Sequence, residues 1–143
     1  MRHLLAFAPM PAPRARQFTI LVIDDEDTVR ALVTELLEED GHIVFSAAGG
    51  AEGLALLQAV VPDLILVDQI MPRMNGVEVV QRLRTEEATR RIPIVALTSA
   101  SAEEANELSR AGCIAFIPKP FDPAEFGRLI ADIIRATIRR TLP

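Results

Sequence analysis

Four short apolar runs each give way to residues that can do chemistry. Thr19–Ile23 is followed by Asp24, Asp25, Glu26 and Asp27, and Leu64–Val67 by Asp68. Ile92–Leu97 is followed by Thr98 and Ser99, and Cys113–Ile117 leads through Pro118 to Lys119 and Pro120. Brought together, Asp24, Asp25 and Asp68 would repel one another, and some would be forced to keep protons unless a cation joined them. A hard divalent ion, chiefly Mg2+, suits such an oxygen set and keeps part of its water shell. A lysine and a hydroxyl beside it would hold phosphoryl oxygens, one by charge and one by a donated hydrogen bond. A carboxylate there can attack phosphorus in line and become an aspartyl phosphate. These residue types point to Mg2+-assisted phosphoryl transfer and leave open which carboxylate takes the group.

The elements between must bring these residues to one place. Together with His42–Ser46, the apolar runs make five predicted strands, and the first, third and fourth are apolar nearly throughout, as strands covered on both faces are. Amphipathic stretches alternate with them. Val29, Leu32, Val33, Leu36 and Leu37 follow the helical i, i+3, i+4, i+7 spacing, and Gly41 stops that helix. A second helix is predicted from Ala51 to Val60 with Leu54, Leu57 and Val61 inward. Asn75 with Glu78 and Ser101 with Glu104 have capping-box spacing for the third and fourth. The fifth is predicted to open on Asp122 as cap with Pro123 at the first helical position, and to bury Phe126, Leu129, Ile130, Ile133 and Ile134. Five β-α units predict one α/β domain, doubly wound around an open parallel sheet. In such sheets ligands bind beyond the carboxyl ends of the strands, which is where these side chains fall.

Composition narrows the function classes. The chain has 143 residues, room for one domain of ordinary size, and its single cysteine excludes a disulfide scaffold or a cysteine-based zinc cluster. One cysteine and no apolar stretch long enough to cross a bilayer imply a cytoplasmic protein without a membrane partner. Residues 18–123 carry 18 acids and 8 bases, a net −10, which is a poor match for nucleic acid. Residues 1–17, rich in proline, alanine and arginine, are expected to be a disordered or loosely packed extension, with the domain at 18–140 and a tail at 141–143. Of 15 basic residues 14 are arginine, and Lys119 is the only lysine.

In order and spacing this set resembles the receiver domain of two-component response regulators, over residues 18 to about 138. The match is an acidic pair after strand one, an aspartate after strand three, a threonine after strand four and Lys-Pro after strand five. Asp68-Gln69-Ile70-Met71-Pro72-Arg73-Met74-Asn75-Gly76 is very similar to that family's phosphorylation loop. The resemblance implies a flavodoxin-like (βα)5 fold with strand order 2-1-3-4-5. It implies Asp68 as phospho-acceptor, Asp25 as direct Mg2+ ligand, Asp24 as holder of metal-bound water, and Ile70 as donor of a backbone carbonyl to the metal. Thr98 and Lys119 would contact the phosphoryl group, Phe116 stands at the switch-aromatic position, and the Lys119–Pro120 bond would be cis. Implied partners are a sensor histidine kinase or histidine phosphotransfer protein and a separate output protein. The output surface would be helix four, strand five and helix five; a phosphorylation-dependent homodimer is compatible with this. Apart from its own phosphorylation and dephosphorylation, such a domain is not an enzyme.

Each residue also has a plainer use. Asp27 reads better as a helix cap than as a ligand. Ser99 is assigned only to lining the site, and Phe116 is either core or switch. Cys113 reads as a small buried hydrophobe. His3 and His42 share no ligand spacing, and Arg135, Arg139 and Arg140 read as a solvated helix face. The alternative function is a receiver-fold binding module that is never phosphorylated, although such modules commonly lack one of the acids or the lysine. An aspartate-nucleophile phosphatase would need Asp-x-Asp on strand one, where the pair here is adjacent. A nucleotide-binding enzyme would need a Gly-x-x-x-x-Gly-Lys loop, and none occurs.

Overall fold

Strands that are apolar nearly throughout need a cover on each face, and this chain supplies two. In the computed structural model, which describes residues 16–99 and 101–141, five parallel strands alternate with five helices. The strands are β1 (Thr19–Ile23), β2 (Ile43–Ala47), β3 (Leu64–Asp68), β4 (Ile94–Thr98) and β5 (Ala115–Pro118). The helices are α1 (Asp27–Glu39), α2 (Gly50–Leu56), α3 (Gly76–Thr85), α4 (Ala102–Ala111) and α5 (Pro123–Thr141). Strand order is β2-β1-β3-β4-β5, all parallel, as the resemblance implied. Alternate side chains divide between two cores. Leu21, Ile23, Ile65, Val67, Ile94 and Ala96 pack with Val79, Val80 and Leu83 of α3 and Leu108 of α4. Ile20, Val22, Leu64, Leu66, Val95 and Leu97 pack with Val33 and Leu37 of α1 and Phe126, Ile130 and Ile134 of α5.

The element starts and stops differ from expectation in instructive places. Strands β2, β4 and β5 are set one or two residues later than their apolar runs suggested, so Thr98 closes β4 instead of following it. The cap of α1 is Glu26, not Asp27. Asp24 Oδ1 accepts the Glu26 amide at 2.9 Å, which turns the chain one residue early and leaves Asp27 in the first turn, paired with Arg30 at 2.6 Å. Helix α2 ends at Leu56 instead of Val60, and Val61 is 76% exposed instead of inward. Pro62 follows, and a residue before proline is pushed out of the helical region.

Leu129 is likewise exposed on α5, whereas Phe126, Ile130 and Ile134 are buried. At about 100° per residue Leu129 lies some 100° from the centre of that buried stripe, at its solvent edge. The caps at Asn75, Ser101 and Asp122 are as expected: Asn75 Oδ1 accepts the Glu78 amide, Ser101 and Glu104 form the reciprocal pair, and Asp122 Oδ1 accepts the Ala124 amide.

The ends of the chain bear on the expected boundaries. Residues 1–15 of the expected extension, Ala100 and the side chains of Arg139 and Arg140 lie outside the described residues. Gln17, its last residue, donates from Nε2 to Gly41 O, and the Arg16 guanidinium lies 5.4 Å over the Phe18 ring. Among the described residues no helix is long and apolar enough to cross a membrane.

Phe126 is 0% exposed and is the largest of the fully buried side chains. Phe126→Ala should lower the unfolding free energy by about 3–5 kcal/mol in urea titration with an unchanged m-value. A loss below about 1 kcal/mol would mean that α5 is not part of the cooperative unit.

Candidate functional site: an acidic cluster at the carboxyl edge of the sheet

Asp24 leaves β1 at the point where the sheet runs out. Its amide still donates to Ala47 O at 3.1 Å, which continues the ladder to β2, and its carbonyl accepts from Arg30 Nη1 at 2.8 Å. Its side chain is 0% exposed. Oδ1 caps the Glu26 amide, and Oδ2 accepts from Lys119 Nζ at 2.9 Å. Asp68 closes β3, buried, with Oδ1 3.4 Å from the Ile70 amide and Oδ2 3.4 Å from Lys119 Nζ. Lys119 also lies 3.3 Å from Glu26 Oε1. Its own amide donates to Thr98 O at 2.9 Å, so the lysine is anchored to the end of β4. The Lys119–Pro120 peptide bond is cis.

Asp25 completes the cluster. Ligand oxygens of Asp24, Asp25 and Asp68 all lie within 4.8 Å of one another. Among the described residues Asp25 Oδ1 is buried and has no hydrogen-bond partner. A buried carboxylate oxygen left unsatisfied is costly, and a cation is the partner that three converging oxygens would share. The donor set is all oxygen and anionic, which fits a hard divalent ion. Electrostatics agree. Burial, and then the charge of Asp24, push the Asp68 carboxyl up to about 7, against the pull of Lys119 and the Ile70 amide. Burial works against the charge on Lys119, but its hydrogen bond with Asp24 and the charges of Asp24 and Asp68 outweigh it and raise its pKa.

The loop after β3 is held down at its far end. Gly76 donates its amide to Gln69 O at 2.8 Å, and a Cβ there would stand 2.7 Å from Asp68 O and 2.8 Å from Gln69 Cα. Only glycine allows α3 to start so close to the strand end. Arg73, in the bend between, has φ 71°.

The sequence-derived residues fall into place unevenly. Asp24, Asp25, Asp68 and Lys119 meet. Thr98 closes the neighbouring strand with its hydroxyl donating to Gln69 Oε1 at 2.7 Å. Ile70 turns its side chain out, 64% exposed, and Ser99 is exposed at the strand end. Phe116 is 38% exposed on β5, so the core reading does not hold for it. Two participants escaped the sequence reading: Glu26, which reaches Lys119, and Gln69, which holds Thr98. Glu26 was hidden in a run of acids, and Gln69 was visible only as a polar residue next to a buried aspartate. A groove of about 930 Å3 between α1 and α5 is lined in part by Phe18, Leu36, His42 and Ile134 and includes none of the site residues.

Residues 20–131 match the response regulator receiver domain. The chain belongs to that family. Its sequence is 37% identical over 115 residues to a 14.6 kDa protein from the sodA1 3′ region of Leptolyngbya boryana, covering 80% of this chain and 88% of that one. It is 38% identical over 127 residues to the phosphate regulon transcriptional regulatory protein PhoB of Pseudomonas aeruginosa, covering 87% of this chain and 53% of PhoB. This receiver thus spans about half the length of the transcriptional regulators it matches. Its fold is similar to that of the chemotaxis protein CheY4 of Vibrio cholerae, with a TM-score of 0.78 and 31% identity over 82% of this chain and 99% of that one. It is a receiver domain of the two-component response regulators, a signalling domain.

Gly76→Ala should lower the melting temperature, at a cost of about 1–3 kcal/mol, because both close contacts are backbone and neither can swing aside. An unchanged melt would show that the loop has slack at this point.

Proposed function

We propose that this receiver, residues 18–140, accepts a phosphoryl group on Asp68 from a sensor histidine kinase or histidine phosphotransfer protein. The observation that carries this reading is the convergence of Asp24, Asp25 and Asp68 oxygens within 4.8 Å beside the Lys119 ammonium. An oxygen of Asp68 attacks phosphorus, the P–N bond to the donor imidazole breaks, and the electron pair leaves with that nitrogen. Mg2+ would be held by carboxylate oxygens of Asp25 and Asp68, by the Ile70 carbonyl, and through water by Asp24. When bound, it supplies positive charge to the oxygens of the transferred group. Lys119 holds one such oxygen as a point charge, and the Thr98 hydroxyl donates to another. Apart from making and losing its own acyl phosphate, the domain turns nothing over.

Phosphorylation would shift the surface of α4, β5 and α5, on which Phe116 is already part-exposed, between two states. Output then passes to a separate protein in the cytoplasm, without nucleic acid or membrane contact by this domain. The near-complete overlap with the 14.6 kDa relative and with CheY4 supports a domain working at this size. A phosphorylation-dependent homodimer is compatible with the same surface. A binding module that is never phosphorylated is the less economical reading, since every acid and the lysine are in place.

Incubation with phosphoramidate and Mg2+ should add one phosphoryl group by intact-protein mass, and Asp68→Asn should abolish it while leaving the fold intact. Labelling that persists in Asp68→Asn would remove Asp68 as acceptor, and a wild type that never labels, even from a kinase, would favour the binding module. Asp25→Ala should raise the Mg2+ concentration needed for half-maximal labelling by at least about tenfold; an unchanged requirement takes Asp25 out of the metal shell. Lys119→Arg should label more slowly than wild type, since a guanidinium fork does not reproduce a compact ammonium among three carboxylates.

A further inference from the structure

Gln69 is tied down on both of its polar ends. Its backbone carbonyl accepts the Gly76 amide at 2.8 Å, and its side-chain oxygen accepts the Thr98 hydroxyl at 2.7 Å. Both side chains are buried, Gln69 at 8% and Thr98 at 6% exposed. A threonine hydroxyl has one proton to give. While Gln69 Oε1 takes it, that proton is not available to an oxygen of a group carried on Asp68, one residue before Gln69 in the chain. Moving it away leaves a buried amide oxygen without its donor, the costly half of breaking a hydrogen bond.

We propose that Gln69 is a positioning residue that latches the Thr98 hydroxyl in the resting domain, so that switching is a competition between two acceptors for one proton. This rests on the reading of Asp68 as the phosphoryl acceptor. The resting acceptor is a neutral amide oxygen. The competitor is an anionic phosphoryl oxygen, and hydrogen bonds to anions are roughly twice as strong. The latch therefore holds Thr98 until a phosphoryl group is present and yields once it is. Its strength sets how much of the gain from phosphorylation is used on release, in the manner of any two-state shift.

The test uses Gln69→Met, which keeps length and apolar packing but has no amide oxygen, and Gln69→Glu, which keeps an acceptor oxygen. In the isotopically labelled full chain, free of Mg2+ and phosphoryl donor, three-bond couplings to the Thr98 methyl report its rotamer. Wild type and Gln69→Glu should show the same couplings, and Gln69→Met couplings shifted from them. Gln69→Met should also lower the phosphoramidate concentration for half-maximal labelling about tenfold, equivalent to about 1.4 kcal/mol. In a Thr98→Ala background, where no hydroxyl remains to be released, it should change nothing further. Identical couplings in wild type and Gln69→Met, or an equal effect in both backgrounds, would each overturn the latch. A wild type that never labels would defeat the acceptor reading, and the coupling measurement would still decide whether Gln69 holds Thr98.

Discussion

One ammonium faces four carboxylates at the carboxyl edge of this sheet, and most of the architecture serves that imbalance. Lys119 reaches Asp24, Glu26 and Asp68 at once, while among the described residues the buried Oδ1 of Asp25 has no hydrogen-bond partner. Negative charge gathered this tightly in a half-dry site is unfavourable in itself. It persists because the surrounding structure over-determines each position. Asp24 is held through its amide, carbonyl and both carboxylate oxygens, and Lys119 through its backbone as well as its ammonium. Three carboxylates gathered in this way form an oxygen set whose repulsion a divalent cation would relieve.

That rigidity comes from the apolar strands. Three of the five are buried along nearly their whole length, and each delivers a polar residue only when the covering helices run out. Burial runs on to the polar ends themselves: Asp68 and Thr98, which close β3 and β4, and Asp24 after β1 are all buried. Ligand chemistry collects at that edge because it is where backbone direction, helix starts and solvent meet. Gly76 sharpens the arrangement by letting α3 begin almost in contact with the end of β3.

Much of this could be read from residue order. Fully apolar runs marked the strands covered on both faces, and helical spacing together with cap residues marked most helix starts. The site was readable for the same reason: the residues that would do chemistry stood at the ends of those runs. What escaped depended on contacts that spacing does not encode. Asp24 turned the chain early and displaced the cap from Asp27 to Glu26. Helix α2 stopped at Leu56 although its apolar pattern continued, and Pro62 kept Val61 out of any helical turn. Leu129 was apolar and in phase, yet at the margin of its stripe. Gln69 gave no signal because its role depends on where the end of β4 lies relative to β3, a tertiary fact.

The isolation of Lys119 has a practical side. In an arginine-rich sequence with a single lysine, every reagent or enzyme that modifies ε-amines has one side-chain target, and that target lies inside the acidic cluster. Acetylation or carbamylation there would delete the only ammonium of the site and leave its carboxylates facing one another. Any occupant that engages the amine would slow that reaction. The lysine is therefore a built-in chemical reporter of whether the site is filled, read at one position without labelling the protein anywhere else along its side chains.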